Sequence, residues 1–475
     1  MSCKRKRTNK LKGFLALTLL AISWVVLLWL TGSKTPWFTT FGSRDNAHIT
    51  LNLGDVPVQQ YTRMGFTGGM VKYNRTGNFW LVGTEQGNIL AVDMQGRQLW
   101  RRNFGIGKIT ALAISDDGNK VYVGEQSPAG QVYALNAQTG DILWKFATAE
   151  TLGSEPALRS NPSITRIVVD GQERIYFSAY RFRMNKNAQR EYFSKVYVLS
   201  ARGEALGQYP PDKPMDAWVN WFAVAPEHNV LTFSTSNYDV SNRMQYTDNL
   251  YFLDLKHMQL QNSKKITPIE PFERTVMRAS PIYSTDEKYL AGIASDGRGF
   301  LFDTYGQPLW QVSVAKPTNI GGEWVNAIGR KALLTEYGVV FTTLNTFNRN
   351  NWQLSTPVEH PGNNGIFIFD YDGNFKAKFT AGGNTEETES KGDLLAVAVG
   401  RNVRTRTYQE HGAMLIDLKQ LRIKQLYKTA GPVQAVDISD DLHYIAAIEA
   451  PAQIDSGKII GEYRLHIWDI NNAKP

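Results

Sequence analysis

Seven residues able to grip another molecule crowd into the thirteen positions from Arg181 to Phe193: Arg181, Phe182, Arg183, Lys186, Arg190, Tyr192 and Phe193. Arginine and aromatic side chains in this mixture do the work of recognition: forked donors for acidic groups and flat apolar anchors. Arg243, Arg349, Arg401, Arg404 and Arg406 stand in other polar, loop-like stretches. The plain alternative for all of them is a solvated loop surface. A second constellation, Trp218, Trp221, Glu323, Trp324 and Asn326, has the ingredients of a ligand pocket: aromatic walls and one carboxylate. Its plain alternative is packing of large rings between elements. Asp370-Tyr371-Asp372-Gly373 and Asp116-Asp117-Gly118 resemble fragments of calcium loops but do not continue to a ligating Glu, so turn chemistry is the expectation. The seven histidines are scattered, and no metalloprotease helix, nucleophile elbow or phosphate loop is present. No catalytic residue, metal ligand or cofactor contact is assigned.

The elements that must hold these residues are short strands. Lys108–Thr148 reads as four of them: alternating Ile109–Ile114, then Lys120–Gly124, Gln131–Asn136 and Asp141–Phe146, separated by Asp, Asn and Gly turns. An Asp or Asn followed by Gly three or four residues later recurs at Asp93/Gly96, Asn136/Gly140, Asp303/Gly306 and Asp370/Gly373. Ser200/Gly203 is a variant, and Asp254, Asp417 and Asp469 keep the acid alone. A short carboxylate or amide opening a turn accepts backbone N–H groups, and Gly supplies positive φ. Leu-Trp closes three copies, at Leu99-Trp100, Leu143-Trp144 and Leu309-Trp310, putting a ring where it can fill the gap to the next sheet. The eight marks lie 43 to 67 residues apart. One four-stranded sheet cannot bury both of its faces, so the repeat predicts an all-β, eight-bladed β-propeller, with seven blades plus an irregular unit as the alternative.

The stretch Gly130–Trp144, with Gly87–Trp100 and Gly297–Trp310, resembles the repeat of the quinoprotein-like (PQQ-type) propellers. That superfamily includes quinone-dependent alcohol dehydrogenases and the cofactor-free BamB-type outer-membrane assembly proteins. The resemblance implies the fold and leaves the activity open. It also implies, for the enzymes, a vicinal cysteine pair, calcium ligands and a catalytic Asp. The only cysteine is Cys3, and that set cannot be placed here. The propeller is therefore expected without the quinone.

Charge and hydropathy point to a membrane-tethered protein. The net charge of +8 sits mostly in Lys4, Arg5, Lys6, Arg7, Lys10 and Lys12; without these six, 46 basic residues face 44 acidic ones, which argues against a nucleic-acid footprint. Gly13–Leu30 is 18 residues without a charge, long enough to span a bilayer as a helix. Cations before it orient residues 1–12 as a cytoplasmic tail. The organisation expected is residues 13–31 as an uncleaved signal anchor, 32–47 as linker and 48–475 as propeller, with a cleaved signal peptide as the rival. Because the last unit lacks a fourth strand, residues from His48–Arg63 are expected to complete it. Insertions after the second strands of units three, four, six, seven and eight predict one elaborated face and one plain face. The leading expectation is a non-catalytic, inner-membrane-tethered extracytoplasmic scaffold for envelope proteins, binding through Arg181, Phe182, Arg183, Lys186, Arg190, Tyr192, Arg243, Arg349, Arg404 and Arg406. The alternatives are a small-ligand receptor, with its site at Trp218, Trp221, Glu323 and Trp324, and a quinone-dependent oxidoreductase.

Overall fold

The computed structural model describes residues 48–56, 59–60, 70–105, 107–154, 161–236, 246–348, 358–401, 410–454 and 456–471. The expected tail, membrane helix and linker, and the candidates Arg243, Arg349, Arg404 and Arg406, lie outside them. Among the described residues no helix is long and apolar enough to cross a membrane.

Strand pairing among the described residues gives antiparallel four-stranded meanders in chain order, two of them joined through Ser163↔Gln126 into one eight-stranded sheet and one extended to five strands; they are numbered as units one to eight. Unit one is Met70–Asn74, Phe79–Gly83, Asn88–Asp93 and Gln98–Asn103, and units two to seven repeat that meander through Lys428. Unit eight takes Val433–Ile438, Tyr444–Glu449 and Arg464–Asp469 from the C-terminal end and its outer strand from His48–Asn52. The early segment thus closes the last unit, in register Ile49 with Ile467 and Leu51 with Leu465. Further along the same early segment, Gln59–Gln60 pairs in parallel with Ala452–Gln453 in a separate small sheet.

The second and third strands of most units are buried throughout, as in Phe79–Gly83, Val230–Ser236 and Leu394–Val399. Apolar clusters fill the junctions between successive units. Leu81 and Ile89 meet Val121 and Leu135, Tyr176 and Val198 meet Phe222 and Phe233, and Val340 and Ile368 meet Val397 and Ile416. One more cluster joins the ends of the series. Leu51, Ile448, Leu465 and Ile467 of unit eight pack on Val71, Trp80 and Leu90 of unit one. The architecture is that of a β-propeller.

The Asp/Asn…Gly mark and the Leu-Trp ending are two halves of one joint. Trp100 Nε1 donates to the carbonyl of Ala137 at 2.9 Å, and Trp144 Nε1 to that of Ala201 at 3.0 Å. Trp310 Nε1 donates to that of Tyr371 at 2.8 Å. Each indole therefore lies on the turn of the following unit, and each turn presents a glycine to it. A Cβ on Gly140 would sit 2.5 Å from Trp100, and one on Gly203 2.6 Å from Trp144. Ile49 of the closing strand meets Gly96 of unit one in the same way. Where the glycine is missing the joint is inverted. After Asp254 the turn residue Met258 holds φ 50° and packs on Gly207 of the preceding unit. After Asp417 the turn residue Leu421 holds φ 52°.

The acid of the mark behaves as expected. Asp93 Oδ1 accepts from the N–H groups of Gln95 and Arg97 at 2.9 and 2.8 Å, and Asp370 Oδ1 from those of Asp372 and Asn374 at 3.1 and 2.8 Å. A bulge then opens the fourth strand in units one to seven, between Ala91 and Val92 of the partner strand in unit one and between Leu301 and Phe302 in unit five. Bulges on an outer strand spoil it as a template for another chain.

The two faces differ. On one, the turns between first and second strands and between third and fourth strands hold two to five residues. On the other, Ile175–Met184 and Arg190–Leu199 rise as a ten-residue hairpin in unit three. There also Glu323–Thr335 and Gly338–Asn348 extend unit six and gain the added strand Thr318–Ile320.

Gly203→Ala tests the joint. The new methyl meets the indole of Trp144 at a residue with φ 80°, and a loss of about 2 kcal/mol is expected in urea unfolding; unchanged stability would show that the indole does not bear on this turn.

Candidate functional site

The basic stretch of unit three is not a loop. It is the end of the raised hairpin, paired without a break from Tyr180↔Ser194 to Met184↔Arg190 around a turn at Asn185–Gln189. Cross-strand pairs hold it. Arg183 lies beside Glu191 at 2.7 Å and its guanidinium carbon is 5.3 Å from the Phe193 ring; that of Arg190 is 5.4 Å from the Phe182 ring. Facing cation–ring and aromatic pairs are the usual stabilisers of an antiparallel ladder, which explains why the strands run past the blade. Loop reading from composition missed this because the alternation was hidden by charge.

The candidates therefore divide. Arg181 is buried, stacked 4.4 Å over Phe193 and donating Nε to the carbonyl of Leu152. Tyr192 is buried and stacks on Trp218 at 6.1 Å with 9° between planes, and Tyr180 meets the same indole at 5.4 Å. The two tyrosines fasten the hairpin to unit four, and Arg181 ties it to the segment that precedes unit three. Arg183 and Lys186 are exposed, while Phe182 and Arg190 are half-buried beside them. Those four form the accessible tip.

Trp218 and Trp221 lie on the first strand of unit four, and Glu323 and Trp324 on that of unit six. The latter two are exposed on the raised face of unit six, paired with Ile320 and Asn319. Asn326 is buried and donates to the carbonyl of Asp296 at 2.9 Å. Trp221 has the guanidinium of Arg166 4.3 Å from its ring.

That contact opens onto a second charged region, formed by the first strands that line the ring's interior. Thr385–Lys391 brings Glu386, Glu387 and Glu389. Lys72 Nζ reaches Glu389 at 2.8 Å; Lys331 pairs with Glu387, stands 3.6 Å from Glu389 and donates to the carbonyl of Thr388 at 2.7 Å. Lys391 bridges Asp437 at 3.6 Å and Asp440 at 2.6 Å. Burial alone would raise the Glu389 carboxyl, but the charges of Lys331 and Lys72 outweigh it and hold the group at about 2. Burial also opposes the charge of Lys72, and Glu389 and Asp437 more than offset it, so its ammonium titrates well above the usual lysine range. The sequence did carry a signal for this network. Three glutamates on one first strand, with Lys72, Arg166 and Arg330-Lys331 on others, put charge where a propeller's inner strands usually carry apolar or small residues.

With this geometry in place, the likeness to known proteins can be read. A family model described as outer membrane protein assembly factor BamB matches residues 85–183. That stretch contains the first two Trp–Gly joints' indoles and the rising strand of the basic hairpin. No curated protein matches the chain. Among solved structures, a europium-containing methanol dehydrogenase is 11% identical, with a TM-score of 0.52, over 85% of this chain and 92% of its own. BamB from Moraxella catarrhalis is 11% identical, with a TM-score of 0.42, over 91% and 99%. The Cps50 (Swd1) β-propeller domain of Myceliophteria thermophila is 12% identical, with a TM-score of 0.44, over 87% and 99%. The fold is a β-propeller, and its early units carry PQQ-type repeats.

The Glu389 network sets an acid limit. Its folded carboxyl titrates near 2 against 4.5 for the free group, so its contribution to stability is complete above about pH 4.5 and is lost as pH falls toward 2. Glu389→Gln should flatten the stability profile over that window in denaturant titrations. A slope identical to that of the unaltered protein would remove Glu389 as its source.

Proposed function

We propose that this protein is a non-catalytic scaffold of the cell envelope: an eight-bladed propeller that holds the unit-three hairpin rigid for a protein partner. The observation that carries the reading is the hairpin itself. Its base is locked by Tyr192, Trp218 and buried Arg181, while Arg183, Lys186, Arg190 and Phe182 are presented at a fixed tip. A site built this way loses little conformational entropy on binding, and arginine with aromatics is the composition of interface anchors. The matched family model is named for an outer-membrane assembly factor and covers the rising strand of this hairpin, which supports a protein partner within the envelope.

In this reading residues 13–30 are an uncleaved membrane helix and residues 1–12 lie in the cytoplasm, so the propeller stands outside it. The apolar cluster joining units eight and one supports closure of eight units rather than seven.

A photocrosslinking residue in place of Lys186, in the full-length protein in its native membrane, should give an adduct of defined mass. Arg183→Glu with Arg190→Glu should reduce it at least tenfold, and a probe at Gln138 on the plain face should give none. Equal yields from Lys186 with and without the charge reversals would contradict the docking surface.

A further inference from the structure

The interior of the ring holds more cationic groups than its carboxylates neutralise. Glu387, Glu389 and Asp437 are already taken by Lys331, Lys72 and Lys391, and Glu386 accepts from Asn384 Nδ2 at 3.2 Å and acts on Arg330 without an ion-pair contact. Three guanidinium groups have no carboxylate at ion-pair distance among the described residues: Arg166 and Arg330 on the first strands of units three and six, and Arg278 in the segment leading into unit five. Arg330 donates only to the backbone carbonyl of Glu386, at 2.9 and 3.3 Å. Arg166 keeps a buried Nη1 with no hydrogen-bond partner, as does the Nε1 of Trp221 beneath it.

These groups are neighbours through the backbone. Asn220, next to Trp221, donates Nδ2 to the carbonyl of Met277 at 2.7 Å, and Met277 precedes Arg278. Ala279, which follows Arg278, donates to the carbonyl of Arg330 at 3.1 Å. Lys331 Nζ lies 6.0 Å from the same Trp221 ring. One arc of the interior, across units three to six, is therefore cationic, and the acidic arc is confined to units seven and eight. Burial depresses Arg166 to about 10 although Glu389 and Glu387 favour its charge, and burial lowers Arg330 from its usual range, with Glu386 and Glu387 opposing the shift and Arg278 adding to it. Both remain charged at neutral pH, and like charges are held together in a poorly hydrated place. Two or three guanidinium forks offering free N–H groups match the oxygens of a phosphate or carboxylate. Arg166, Arg278 and Arg330 are all half-buried rather than sealed, so a small solute reaches them.

We infer that Arg166, Arg278 and Arg330, with Trp221, form a binding site for a small oxyanion inside the ring. The site is separate from the raised hairpin and stands or falls without it. The bound group would add to the countercharge that Glu386, Glu387 and Glu389 supply from beyond ion-pair distance, and its oxygens would accept from the Arg166 fork.

The test is calorimetric titration of the full-length protein in detergent with inorganic phosphate and, separately, with citrate. Sodium chloride keeps the ionic strength constant, because salt screens the same charges without specific contacts. Saturable binding of one or both probes is expected; a preference for phosphate or for citrate assigns the natural group to that chemistry. Arg166→Gln and Arg278→Gln should each weaken binding at least tenfold, and Arg97→Gln, on an outer turn, should leave it unchanged. Arg278→Gln carries the test if Arg166→Gln fails to fold, with far-ultraviolet circular dichroism as the check. The inference is overturned if neither probe binds saturably, or if Arg278→Gln binds as tightly as the unaltered protein.

Discussion

A sheet buried on both faces must have a neighbour on each side. Val230–Ser236 and Leu394–Val399 are apolar or small throughout and fully enclosed, so no unit of this chain is stable by itself in water. Eight such sheets meet the requirement by packing in series, and the last must find the first. The N-terminal strand His48–Asn52 does this by pairing with Arg464–Asp469, while its apolar residues enter the cluster shared with unit one. The joints refine that packing. An indole or aliphatic side chain from one unit sits on a glycine turn of the next, so the spacing between sheets is set by side-chain size rather than by area alone.

Closure has an electrical consequence. Once the outer faces are spent on neighbours, the first strands have only one another and the water between them. Charges placed there cannot be dispersed to the surface, and they sort themselves into carboxylates held by lysines on one arc and arginines with few partners on another. The network of Lys72, Lys331, Glu387 and Glu389 spans units one, six and seven. It ties together strands that share no backbone hydrogen bonds. The raised face and the interior are therefore different kinds of surface: the first displays side chains on a braced hairpin, the second encloses them.

Much of the fold was legible because its repeat is written in turn chemistry. Asp93, Asn136, Asp303 and Asp370 announced where third strands end, and Leu-Trp where fourth strands begin. The function of the glycines was only half visible. Positive φ could be read from the turn, but the contact with Trp100 or Trp144 lies 40 to 60 residues away in sequence and depends on the ring. The absence of glycine after Asp254 looked like decay of the repeat and is instead an inverted joint, Met258 on Gly207. The site was less legible. Arg181 and Tyr192 were chosen by type, yet burial separates them from Arg183 and Lys186. That separation depends on Trp218, which arrives from the next unit. The charges of the first strands are visible in the sequence, but which of them face one another is fixed only when packing brings the strands together.

The central claim is that the chain ends meet in one sheet and that this closes the ring. Amide hydrogen exchange of the full-length protein, read by mass spectrometry, tests it most directly. Residues 48–52 should exchange as slowly as residues 464–469, and both should become labile together as denaturant is raised. Exchange of residues 48–52 at the rate of an unstructured segment, beside a protected 464–469, would contradict it.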